Sequence, residues 1–327
     1  YSYTPYTGSP ELLGAIRAWY ARCFGVELAD ENIVLLPGSK GGLSRVNLAL
    51  ADPGEVAILP DPAFPSYWSS ALVAGLEAHR LVLEEERGWH PDLAKIPAEV
   101  ARRARFILLN YPNNPTGAAT TENFLAELLD WARRTGTLVV YDNAYQFITF
   151  DDYRPLSILS LPGAIEAAVE FHTFSKAYGM AGVRIAFAAG HPQAIAALKK
   201  IEVYYQAGIF APSLAAAAVA LNEGDRAVAE AVSLYAERRE AVLSLLDGIG
   251  WPHEKPAGAT YFWLKLPGEE TDDVAFCRRL VEKTGVILTP GSAFGEAGRG
   301  RVRLSITQPR PVLERALGRM AEVLGRD

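Results

Sequence analysis

This sequence predicts an α/β fold, with a large domain on a mostly parallel sheet followed by a smaller C-terminal α+β domain. Three observations carry that expectation. Short apolar runs alternate with helix-period segments over most of the chain, the βα grammar of a parallel sheet covered on both faces. The alternation stops after a long Ala- and Leu-rich stretch, and strands and helices then follow a different order. The chain has 327 residues, half of them hydrophobic, which suits two domains at roughly 150 residues each.

The elements follow in order. Residues 10–24 carry apolar positions at helical spacing, with Ser9 as an N-cap, Pro10 in the first turn and Gly25 past the end. Runs at 33–36, 56–59, 106–109, 137–141, 168–172 and 183–188 read as buried strands, and 41–50, 65–75, 121–135 and 192–207 as the helices among them. A helical stretch then runs from Pro212 to residue 246. The last part reads as strand 260–266, helix 271–284, strands 286–289 and 301–306, and helix 310–324. The domain boundary is placed between 9–240 and 241–327.

Composition narrows the function. Lys and Arg total 32 and Asp and Glu 38, a net charge of −6. A mildly acidic chain has no global attraction for nucleic acid or anionic lipid. No run is long and apolar enough to span a bilayer. Cys23 and Cys277 lie far apart without metal-ligand spacing, so neither a disulfide framework nor a cysteine zinc site is expected, and a cytoplasmic location fits best. The five histidines are dispersed, and no metal is expected. The first residue is Tyr1 rather than Met, so an upstream segment is expected to be missing.

Six segments carry residues that could do chemistry, and the one after strand 106–109 leaves the carboxyl end of an expected parallel strand, where α/β ligands bind. HTFSKAYGMAGVR (172–184) follows a strand and holds Thr173, Ser175, Lys176 and Arg184. A lysine at an apolar strand end can act as a nucleophilic amine, and the hydroxyls and guanidinium suit a phosphate ester. The bland alternative is a solvated loop lysine with capping neighbours. NYPNNPTG (110–117) places Asn114 in a turn after another strand, and VVYDNAY (139–145) places Asp142 and Tyr145 after a third. Alone, these read as a turn and a helix cap. LLPGSKGGL (35–43) is strand, Gly-rich turn and helix, whose exposed N–H groups can form an anion cradle, although such turns are common. DPAFPSY (61–67) offers Phe64 and Tyr67, which alone read better as ordinary hydrophobic anchors. In RVRLS (301–305), Arg303 inside a strand pattern calls for an anion.

Their order and combination resemble the fold-type I, pyridoxal 5′-phosphate-dependent aminotransferases of the class I/II group, from YTPYTGSPEL to RVRLSIT. The resemblance implies that Lys176 forms the Schiff base and that Asp142 pairs with the pyridine nitrogen. Asn114 and Tyr145 would bond the ring 3′-oxygen, and Phe64 would stack on the ring. Ser39, Lys40, Thr173, Ser175 and Arg184 would hold the phosphate. Arg303 would clamp the substrate carboxylate, with Asn114 and Tyr67 also at the substrate. Tyr3 matches a tyrosine that reaches the phosphate of the neighbouring subunit, implying a homodimer with a shared site. The missing upstream segment would complete the small domain and line the substrate pocket.

The implied reaction moves an amino group between an amino acid and a 2-oxo acid. Within the group, YTPYTGSPELLGAIRAWYARCFGVEL, LPGSKGGL and FDDYRPLS look closest to the LL-diaminopimelate and N-succinyldiaminopimelate aminotransferases, with glutamate/2-oxoglutarate as the couple. Gly41 departs from the acidic residue those enzymes more often carry there. Aspartate- and alanine-type aminotransferases are the near alternatives. A carbon–sulfur β-lyase would keep every cofactor residue and change the substrate's fate. A non-catalytic binding protein would not need Lys176, Asp142, Tyr145, Asn114 and Arg184 together.

Overall fold

A computed structural model describes residues 3–5 and 8–324. The Ser9 hydroxyl accepts from the Leu12 N–H at 3.1 Å and opens helix α1 (Pro10–Phe24), which Gly25 closes in the left-handed conformation. The chain continues through β1 (Ile33–Leu36), α2 (Ser39–Leu50), β2 (Val56–Asp61), α3 (Ser66–Val73), β3 (Glu77–Val82), α4 (Ala98–Arg103) and β4 (Ala104–Asn110). Next come α5 (Glu122–Thr135), β5 (Leu138–Asp142), β6 (Ala168–Thr173), β7 (Ala186–Gly190), α6 (Pro192–Tyr205), α7 (Ala211–Glu223) and α8 (Asp225–Gly248). The C-terminal part is β8 (Tyr261–Lys265), α9 (Asp273–Thr284), β9 (Thr289–Pro290), β10 (Arg301–Ser305) and α10 (Arg310–Leu324).

Seven strands form one sheet in the order β1-β7-β6-β5-β4-β2-β3. Neighbours from β6 through β3 are parallel, and β7 runs antiparallel between β6 and β1. The carboxyl ends of β1, β2, β4, β5 and β6 therefore meet at one edge, where β7 begins. Side chains alternate between two cores, as the strand period requires. Ile33, Leu35, Ile107, Leu109, Val139 and Tyr141 pack with α1, α5 and α7. Val34, Leu36, Phe106, Leu108 and Val140 pack with α2, α3 and α6. A second sheet, β8-β10-β9, is antiparallel. It shares a third core with α9, α10 and the end of α8, through Val242, Leu243 and Leu246. The boundary placed at 240/241 falls within α8.

Four element assignments are corrected. β3 was not expected, because Glu77, His79 and Arg80 give this edge strand no apolar run. The stretch from 212 to 246 is two helices rather than one. Gly224 separates them, and a Cβ there would sit 2.3 Å from the Ala220 carbonyl oxygen. The strand expected at 183–188 starts at Ala186, because Arg184 takes a left-handed φ of 58° after a short 3-10 turn. The strand expected at 286–289 shrinks to Thr289–Pro290.

Candidate active site

A cleft of about 370 Å³ opens at the edge where the carboxyl ends of the strands meet. It lies between the large sheet and the start of the small one. Twelve of the thirteen residues singled out above line it: Ser39, Lys40, Phe64, Tyr67, Asn114, Asp142, Tyr145, Thr173, Ser175, Lys176, Arg184 and Arg303. The thirteenth, Tyr3, lies outside it and is 86% exposed.

One end of the cleft is built for an anion. α2 starts at Ser39 after Gly38, and no side chain caps it. The first N–H groups of such a helix lack intrahelical partners and face outward with the positive end of the helix dipole. Thr173 ends β6, and its Oγ1 accepts from the Ser175 N–H at 3.2 Å, folding the turn back across the sheet edge. The left-handed backbone at Arg184 turns its guanidinium to the same loop. There its Nη atoms reach only carbonyl oxygens, Ala181 at 3.0 Å and Pro37 at 3.5 Å. Among the described residues no carboxylate neutralises it. Gly38, at φ 107°, leaves room for that guanidinium, since a Cβ would lie 2.3 Å from Arg184 Nη2.

The floor of the cleft is acidic. Asp142 ends β5 and is 5% exposed. Oδ2 accepts from the Tyr67 hydroxyl at 2.5 Å and Oδ1 from the Ala144 N–H at 3.2 Å. Burial pushes its pKa up, opposed by the Tyr67 hydrogen bond, by Ala144 and by the charge of Lys176. A buried carboxylate without a salt-bridge partner, facing a cleft, suits a cationic ring nitrogen. Tyr67 itself was expected among the substrate contacts. Its hydroxyl is instead committed to Asp142, and its ring packs edge-on to Phe64 at 5.7 Å.

Asn110, not singled out from the sequence, ties this floor together. Its Nδ2 donates to the Asp142 carbonyl at 2.7 Å, and its Oδ1 accepts from the Asn114 N–H at 2.9 Å. It opens the NYPNNPTG motif, so the motif contained it. The Lys176 ammonium sits 5.2 Å from the centre of the Tyr145 ring.

Arg303 occupies the far end. Its guanidinium lies 4.2 Å from the Tyr261 ring centre and 4.6 Å from that of Phe294. Nη1 donates to Asn114 Oδ1 at 2.8 Å, which leaves Nδ2 as the donor of that amide. The buried Nε has no hydrogen-bond partner. Tyr261 was also missed. It sits inside a run that reads only as a strand, and nothing local marks it. Tyr145 and Tyr261 join hydroxyl to hydroxyl at 2.8 Å.

The parts fit pyridoxal phosphate: an anion cradle, an aromatic plate, an acid at the floor, an amine, and an arginine for a carboxylate. The sequence model of the family described as "Aminotransferase class I and II" matches residues 1–320. The chain is 41% identical over 327 residues to the LL-diaminopimelate aminotransferase of Desulforudis audaxviator, covering 100% of this chain and 83% of the relative. Among solved structures, apo-BacF from Bacillus subtilis superposes with a TM-score of 0.95 at 34% identity, covering 98% of this chain and 82% of BacF. A probable N-succinyldiaminopimelate aminotransferase from Thermus thermophilus gives 0.92 at 36% identity, covering 98% and 86%.

Proposed function

We propose a substrate for a chain that belongs to the class I and II aminotransferases, and is therefore a pyridoxal-phosphate-dependent enzyme moving an amino group between an amino acid and a 2-oxo acid. The substrate is an amino-dicarboxylic compound, LL-diaminopimelate or its N-succinyl derivative, with glutamate/2-oxoglutarate as the couple. The observation that carries this choice is the 41% identity, along the full chain, to an LL-diaminopimelate aminotransferase.

The bound cofactor supplies an electron sink for the charge left when the substrate Cα loses its proton. The chain's residues supply the rest. Arg184, Ser39, Lys40, Thr173 and Ser175 hold the phosphate. Phe64 would cover the ring face, and Asp142 would keep the ring nitrogen protonated. Asn114 and Tyr145 would bond the ring oxygen. Arg303 takes the substrate carboxylate on a pre-oriented guanidinium and presents the Cα–H bond to Lys176. Lys176 Nζ would hold the cofactor and, as a free amine, would move the Cα proton.

The test is a visible spectrum of the cofactor-loaded protein, with single amino acids added and no oxo acid present. Glutamate and either LL-diaminopimelate or its N-succinyl derivative are expected to convert the band to that of the aminated cofactor. Conversion by aspartate or alanine alone would overturn the substrate choice. Release of pyruvate and ammonia from cystathionine would point to the β-lyase instead.

Gly38→Ala would force a side chain onto Arg184 at a left-handed position. We expect about 1–3 kcal/mol of destabilisation in thermal or denaturant melts. Apparent affinity for pyridoxal phosphate should fall about tenfold, the equivalent of 1.4 kcal/mol. Unchanged affinity would detach Arg184 and the α2 N-terminus from the phosphate.

We also place this enzyme in the cytoplasm as a homodimer with a shared site. Among the described residues no helix is long and apolar enough to cross a membrane, and both cysteines are free. Thr4, next to the exposed Tyr3, is tied to the 206–210 turn, its Oγ1 donating to the Ile209 carbonyl at 2.7 Å. Tyr204 and Phe210 are 77% and 72% exposed, leaving an aromatic surface for a second copy to cover. Sedimentation over a range of concentrations checks this, and a monomer at micromolar concentration would refute it.

A further inference from the structure

We propose that Tyr261 is a positioning residue with two separable duties, its ring seating the Arg303 guanidinium and its hydroxyl orienting the Tyr145 hydroxyl toward the cofactor. The proposal deepens the reading above and rests on it.

The geometry of β8 and β10 sets up both duties. The two strands pair antiparallel with Ser305 opposite Tyr261 and Arg303 opposite Trp263. Arg303 and Tyr261 are therefore diagonal neighbours on one face, close enough for a long side chain to lie over a ring. The guanidinium does so at 4.2 Å, with the Phe294 ring also close at 4.6 Å. Burial pulls the pKa of Arg303 down, opposed by Tyr261 and Tyr145. Two aromatic rings attract the cation, and the N–H groups they do not engage are left for a carboxylate.

The hydroxyl serves the other sheet. Tyr261 is 8% exposed and Tyr145 5%, and their oxygens are 2.8 Å apart. Each phenol has one proton. If Tyr145 donates to the cofactor's ring oxygen, it must accept from Tyr261. Such a chain polarises the second donor and strengthens it. The charges facing the pair are Asp142 and Arg303 and the Lys176 ammonium, 5.2 Å from the Tyr145 ring. None of them provides Tyr145 with a second hydroxyl donor. Tyr261 thus stands between the group that grips the substrate and a group that grips the cofactor.

Two variants separate the duties. Tyr261→Phe keeps the ring and removes the hydroxyl. Weaker donation from Tyr145 leaves the ring oxygen a better base toward the neighbouring cationic nitrogen. The pH midpoint of the visible band should then rise by about half to one unit, with KM for both substrates within twofold of wild type. Tyr261→Leu removes both features. Its KM for the amino acid and for the oxo acid should each rise about 3–10-fold, and the midpoint should shift as in the Phe variant. Circular dichroism and melting show whether each variant is folded, and the Phe variant alone suffices should the Leu variant not fold. An unmoved midpoint in Tyr261→Phe overturns the hydroxyl duty. An unchanged KM in folded Tyr261→Leu overturns the ring duty. A wild-type protein that forms no visible band with pyridoxal phosphate fails the underlying reading instead, and the two failures are thereby distinct.

Discussion

Lys176→Ala is expected to lower kcat by at least about four orders of magnitude and to abolish covalent attachment of the cofactor. The size follows from two functions lost together. Lys176 is the amine placed at the floor of the cleft beside the Tyr145 ring, so its removal takes away the covalent anchor. It also takes away the group that moves the Cα proton. Effects of groups acting as one unit do not add, so Lys176→Arg is the informative companion. Arginine keeps a cation near Asp142 but stays protonated and cannot act as base.

The check is direct. After reduction with borohydride, mass spectrometry of wild type should find the cofactor on the peptide that contains Lys176. Neither variant should carry it, and neither should show the attached-cofactor band. Non-covalent binding should persist in both, because the anion end, the Phe64 plate and Asp142 are untouched. A variant retaining more than a tenth of wild-type kcat would remove Lys176 from the chemistry.

Legibility in the sequence followed physical rules. Strands buried on both faces are continuous apolar runs, so β1, β2, β4, β5 and β6 are all readable, as is the edge at which they end. The residues at those ends were readable because each stands just past such a run: Asp142 after 137–141, Thr173 after 168–172, Asn114 after 106–109. β3 was not readable, because an edge strand is half solvated and its polar residues hide it. Tyr261 was not readable for a different reason. Its neighbours in space, Tyr145 and Arg303, are 116 and 42 positions away in sequence, and only the pairing of β8 with β10 brings them together. Tyr67 lines the cleft. The hydrogen bond that assigns it to Asp142 joins α3 to β5, and no spacing in the chain encodes it.

Asp142→Asn is expected to lower kcat by about 10²–10³-fold, the size of one preorganised charge at a reacting centre, while sparing the cofactor-free protein the stability that wild type loses as pH rises above the ordinary aspartate range. The two effects have one cause. In the free protein burial raises the pKa of Asp142 against the pull of Tyr67, Ala144 and Lys176. The folded state therefore holds the proton more tightly than the unfolded chain. The resulting stability is fully present below the ordinary aspartate range and is lost as pH rises through the higher folded value. Asparagine is neutral throughout, keeps an oxygen for the Tyr67 hydroxyl, and removes that loss. Melting temperatures of the cofactor-free proteins should thus diverge in favour of Asp142→Asn as pH rises, and converge in acid. With cofactor bound, the carboxylate faces a cation and the wild type should regain the difference. A parallel fall in stability at every pH would mean that Asp142 is a structural acid. A kcat within tenfold of wild type would mean that the ring nitrogen does not depend on it.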